Sequence, residues 1–148
     1  MTETKNATAA FLDRMYKNVK MGSSSIVDLM PKVEDEALRS EMTRELSKLE
    51  GYSAQIGKMI YAEGGTPKEE NMMTKLSSKM GIKMNTMIDS TSSHIAQMMM
   101  EGYTMGIADM TKDIREYENT KASEASLKLA REIVSFEEDS FSQMKKFL

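Results

Sequence analysis

Apolar residues recur along this chain at steps of three and four, interrupted only where proline, glycine or runs of short polar residues intervene. That period marks helices with one buried face. Leu12, Met15, Val19, Gly22, Ile26 and Leu29 form the first stripe, and Pro31 disfavours helical geometry at Met30, which predicts a helix over 5–30. The acidic Glu34-Asp35-Glu36 suits the positive end of a helix dipole. Leu38, Met42, Leu46, Leu49, Ile56 and Ile60 then predict a second helix over 35–63.

Gly64-Gly65-Thr66-Pro67-Lys68-Glu69 combines a helix stop with Thr as N-cap, Pro at the first helical position and Glu at the third. A new helix is expected to start there and to pass through Met73, Leu76, Met80, Met84 and Met87. Asp89-Ser90-Thr91-Ser92-Ser93 then offers several N-caps. One unbroken helix to Glu118 would span about 50 residues, roughly 75 Å at 1.5 Å per residue. A short connecting helix followed by a third long helix over 91–117 is the more economical reading. The last stripe, Leu127, Ala130, Val134, Glu137, Phe141, Met144 and Leu148, predicts a fourth helix over 121–147. Short turns make two antiparallel hairpins of these four, an all-α bundle forming one domain over 1–148.

Composition narrows the chemistry. Cysteine is absent from the 148 residues, which removes disulfides, thiolate metal sites and cysteine nucleophiles together. The net charge is -3 with scattered basic residues, so nucleic acid is not an expected partner. The richest apolar run, from His94 to Met110, is broken by Glu101 and Asp109 and falls short of the roughly 20 apolar residues of a membrane span. A cytoplasmic location is expected. Methionine is the outlier, with 17 copies. Most of its stripe positions are those a core requires, although Met98-Met99-Met100 cannot all face one core. Homo-oligomerisation through the methionine-rich third helix is therefore the expected partnership.

Function in helical bundles is built from inward polar side chains at mid-helix. The third helix presents His94, Met98, Glu101, Met105 and Ala108 as its expected inner face, the fourth Glu137 with Glu138 beside it, and the second Glu50 and Ser53. A buried Glu101 would need a partner, with Tyr103, His94 or Lys112 in reach. His94 lies two turns from Glu101, about 10 Å along the axis, too far to share an ion with it directly.

Over nearly its whole length the chain resembles the ferritin-like superfamily, particularly its small bacterial rubrerythrin-like members. The features that carry the resemblance are the two hairpins, the Gly64-Gly65-Thr66-Pro67 corner and the glutamates Glu50, Glu101 and Glu137 or Glu138. It implies an antiparallel four-helix bundle with a short extra helix in the central connection. Members that bind two metals carry a Glu on each of two helices and Glu-x-x-His on each of the other two. Here the matching motifs read Glu50-Gly51-Tyr52-Ser53 and Glu138-Asp139-Ser140-Phe141, without histidine, and the first helix offers Ser24. The expectation is a non-catalytic binding or structural module with no cofactor. The alternative is a carboxylate-bridged di-iron protein of iron handling or oxidative-stress defence. Its metal would rest on Glu50, Glu101, Glu137 and Glu138, with His94 as an outer ligand.

Overall fold

Proline at 31 does not stop the coil outright. In the computed structural model, which describes residues 2–68 and 90–148, α1 (Thr2–Leu29) tightens into a 3-10 turn at Met30–Lys32. Proline at the start of such a turn has no N–H to lose. Val33, fully buried, donates its N–H to the Met30 carbonyl, and the Arg39 guanidinium donates to the Val33 carbonyl. Asp35 then caps α2 (Glu36–Ala62), its side chain accepting from the Ala37 and Leu38 N–H groups at 2.8 and 3.3 Å. An N-cap of this kind satisfies donors that the first turn leaves without partners.

The far end of α2 closes with Gly64 in the left-handed region at φ 85, while Gly65 donates back to the Ile60 carbonyl and Gly64 to that of Tyr61. These crossed bonds form a Schellman stop. The connecting helix expected through Met73, Met80, Met84 and Met87 lies outside the described residues. Thr91 caps α3 (Ser92–Asn119) and Ser123 caps α4 (Glu124–Met144), which runs into a last 3-10 turn at Lys145–Phe147. Among the described residues all regular structure is helical, in four long helices, and none of these is long and apolar enough to cross a membrane.

α1 packs closely on both α2 and α3, and α3 packs on α4, whereas the backbones of α2 and α4 approach far less. Polar contacts pin α1 to the other pair along its length: Thr8 accepts from the Ser123 N–H, Arg14 pairs with Asp113, and Asn18 donates to the Gly106 carbonyl. Numbers fall along α1 as they rise along α3. Gly22 lets α1 approach α2, since a Cβ there would sit 3.2 Å from Leu49. Phe11 stacks on Tyr117 with ring centres 4.9 Å apart. The wider α2–α4 gap is filled by long side chains, with Tyr52 edge-on to Phe136 at 5.6 Å.

The inner face of α3 differs from the expected one. Ala96, Met99, Tyr103, Met110, Asp113 and Tyr117 are buried, while Glu101, Met105 and Ala108 are exposed and His94 and Met98 are half-buried. One residue turns a helix by 100°, and the face carrying two tyrosines and Met110 removes more apolar area from water than the face with Met105 and Ala108.

The turn between α3 and α4 carries one backbone cost. Lys121 sits at φ 61 in the position where α2 uses Gly64, and Ala122 donates to the Tyr117 carbonyl in the same crossed pattern. A side chain in the left-handed region costs about 1 kcal/mol. Lys121→Gly is therefore expected to raise the unfolding free energy by about that amount, read as a later midpoint in urea.

Candidate functional site: a buried polar seam

Among the described residues two glutamates lie in the interior, Glu45 on α2 at 0% and Glu137 on α4 at 3% exposure, while the buried Asp113 pairs with Arg14 away from them. Each falls on the regular three-four stripe of its helix, so the packing of Leu38, Met42 and Leu49, or of Ala130, Ile133 and Met144, carries it inward. Tyr103 of α3 reaches across the bundle and donates its hydroxyl to Glu45 Oε1 at 2.6 Å. The buried Ser140 hydroxyl lies beside the phenol without a hydrogen bond of good geometry.

One turn before Glu45, Glu41 receives two bonds from Arg44, Nε to Oε1 at 3.1 Å and a terminal nitrogen to Oε2 at 2.7 Å. On the other side of the seam, Glu137 rests against the backbone of α3 at Gly106. A Cβ at Gly106 would lie 2.8 Å from Glu137 Oε1, so the carboxyl occupies the notch left by the missing side chain. The Gly106 carbonyl in turn holds Asn18 at 2.9 Å.

Burial dominates the electrostatics. It pushes Glu45 up to about 9, helped by the neighbouring Glu41 and opposed by the Tyr103 hydrogen bond. It pushes Glu137 up to about 8, with Asp109 adding like charge. Burial also works against ionisation of Glu41, but the bonds from Arg44 and Glu45 outweigh it and hold Glu41 below the usual range. Tyr103 is raised, first by burial and then by Glu45. At neutral pH the seam therefore holds two neutral acids, one neutral phenol and one ionised carboxylate clamped by Arg44. Glu45 Oε2, Glu137 Oε1, Asn18 Oδ1 and Ser140 Oγ are buried without a formed hydrogen bond.

Of the candidate site residues named from sequence, Glu137 belongs to this seam, and so does Tyr103, expected there as a partner for Glu101. Glu50, Glu101 and Glu138 lie on exposed faces of α2, α3 and α4. His94 is half-buried in the first turn of α3, its backbone N–H donating to Thr91 Oγ1 at 3.2 Å. Ser53 donates to the Glu50 carbonyl at 3.1 Å, Ser24 is half-buried, and the neighbouring Ser23 is the one turned inward. Tyr103 meets Glu45 and not Glu101. Glu45, Ser140 and Asn18 were missed, although the first two lie on stripes of strict three-four alternation.

A two-metal centre calls for four carboxylates and two imidazoles at facing positions. Three carboxyl groups, one of them clamped by Arg44, with a phenol, a hydroxyl and an amide do not fit that set. Among the described residues no three His, Asp or Glu side chains converge on a place for an ion. No family model, curated protein or solved structure matches the chain.

Both interior acids have folded values above the ordinary 4.5, so the folded state holds protons that the unfolded chain releases. Their contribution to stability is complete below about pH 4.5, falls as pH rises, and is gone above about pH 9. Chemical denaturation between pH 5 and 8 is expected to show stability dropping with pH, by on the order of 1 kcal/mol per pH unit for each proton.

The Gly106 notch gives a second expectation. Gly106→Ala should cost about 1–3 kcal/mol by forcing the Glu137 carboxyl aside. Gly102→Ala, four residues earlier with nothing within 4 Å of its added Cβ, should stabilise α3 by about 0.5–1 kcal/mol. Equal effects at the two positions would mean that Glu137 does not sit in the notch.

Proposed function

We propose that the chain is a non-catalytic, ferritin-like antiparallel bundle that acts as a binding or structural module and associates with a second copy through the methionine-rich α3. The observation that carries the non-catalytic reading is the content of the seam. Its central positions hold neutral acids against a tyrosine, a serine and a glycine notch, where a dinuclear site would place ionised carboxylates and imidazoles. The antiparallel reading draws support from the order of the Thr8–Ser123, Arg14–Asp113 and Asn18–Gly106 contacts and from the short turns within each helix pair.

Self-association draws support from α3 itself. Met105 is 56% exposed, and Met98 and Met100 pack only partly against the core. Unbranched thioether side chains adapt to a partner surface at low cost. A cytoplasmic setting suits a chain without cysteine.

Light scattering at micromolar concentration is expected to give a mass of two chains or more, reduced towards one by Met105→Lys. A monomer under the same conditions would remove the association. Elemental analysis of chelator-free protein is expected to give substoichiometric metal, with no oxidation of added Fe(II) in air. Two irons per chain would replace the module by an iron-handling or oxidative-stress enzyme.

A further inference from the structure

The Glu45 carboxyl is fully buried, and the groups around it define what it must be. From α3, the Tyr103 hydroxyl donates to Oε1. From its own helix, the Glu41 carboxyl one turn away acts on it at close range, and Arg44 spends two of its donors on Glu41. From α4, Ser140 and Glu137 face the phenol of Tyr103, while Asp139 acts on Arg44, and beyond the end of α4 Lys146 acts on Glu41. α1 contributes the apolar Met15, Val19 and Ile26 to this core.

An ionised Glu45 would face an ionised Glu41 one turn away, with one donor from Tyr103 and Oε2 facing none. Two carboxylates in contact bond to each other only with a proton between them. Arg44 keeps Glu41 as the ionised member, so the proton belongs to Glu45.

We propose that Glu45 is a proton-holding site: a neutral acid that accepts from Tyr103 through Oε1 and donates through Oε2–H to Glu41, so that one exchangeable proton keeps the α2 side of the α2–α3 contact uncharged. The orphaned oxygen then has a partner. The proton reaches water through Glu41, whose side chain is 16% exposed, while Tyr103 behind it is sealed in the core at 5%. Loss of the proton puts two like charges side by side on α2 and leaves a buried charge that the single donor from Tyr103 offsets only in part, so the fold weakens in alkali and recovers on acidification. The module thereby carries a reversible pH response at one side chain, independent of any metal and of whether it self-associates.

Glu45→Gln tests this directly, because the amide copies the neutral acid, with a carbonyl for Tyr103 and an N–H for Glu41. Between about pH 5.5 and 8 the unfolding equilibrium constant of the variant should rise less steeply than that of the unaltered protein, by about tenfold per pH unit. An unchanged slope would overturn the proposal. Glu41→Gln, which removes the like charge and the ionised acceptor, should keep a slope but move its alkaline end to lower pH. A midpoint that stays in place would count against Glu41 as the acceptor.

Should either variant fail to fold, the unaltered chain gives the answer alone. The side-chain carboxyl of Glu45, followed through the NMR shift of its carbon, is expected to remain protonated at pH 7 and to titrate above it. An ionised Glu45 at pH 7 would end the idea.

Discussion

The hydrogen bond from Tyr103 to Glu45 spans the bundle between two helices whose backbones barely meet. It exists because the α2–α4 gap is wide enough to need long side chains, and because α3 turns a tyrosine towards that gap. A phenol buried there must find an acceptor, and a carboxyl buried there must find a donor; each requirement meets the other. The neutral state of the acid follows from that placement. So does the clamping of Glu41 by Arg44, which leaves one charge at the edge of the seam and none at its centre. Removing either partner would strand a polar group among Met, Leu and Ile, which costs more than the bond itself contributes.

The period of the chain made the four helices legible, and the local chemistry of Pro31, Asp35, Gly64 and Thr91 placed their ends to within a few residues. The seam was harder to read. In α2 the series Leu38, Met42, Glu45, Leu49, Tyr52 and Ile56 alternates four and three without a break, as do Ala96, Met99, Tyr103, Gly106, Met110, Asp113 and Tyr117 in α3 and Ser126, Ala130, Ile133, Glu137, Ser140 and Met144 in α4. Each stripe passes straight through its polar members. Following the nearest apolar residue instead leads from Glu45 to Leu46 and from Ser140 to Phe141, both only half-buried at the flank.

Glu50, Glu101 and Glu138 looked central because they stand near the middle of their helices. Depth along a helix says nothing about the side on which a residue faces. The identity of the interior acids was therefore a question of register, and strict alternation answers it better than local hydrophobicity does. What no pattern along the chain contains is the lateral spacing of the helices. Tyr103 reaches Glu45 only because α2 and α4 stand apart.

Four of the long-range polar contacts share one property that bears on how the molecule forms. Thr8 with Ser123, Arg14 with Asp113, Asn18 with Gly106 and Tyr103 with Glu45 all join the α1–α2 pair to the α3–α4 pair. Contacts within each pair are the more local in sequence, whereas those between pairs close longer loops, which favours helix pairs forming before they dock. A pair not yet docked would leave Glu45 and Glu137 open to water and ionised at neutral pH, whereas burial in the folded core favours their neutral forms. The meeting of the two halves is thus a proton-consuming association, and alkalinity taxes that one step while leaving the turns and the separate helix pairs untouched.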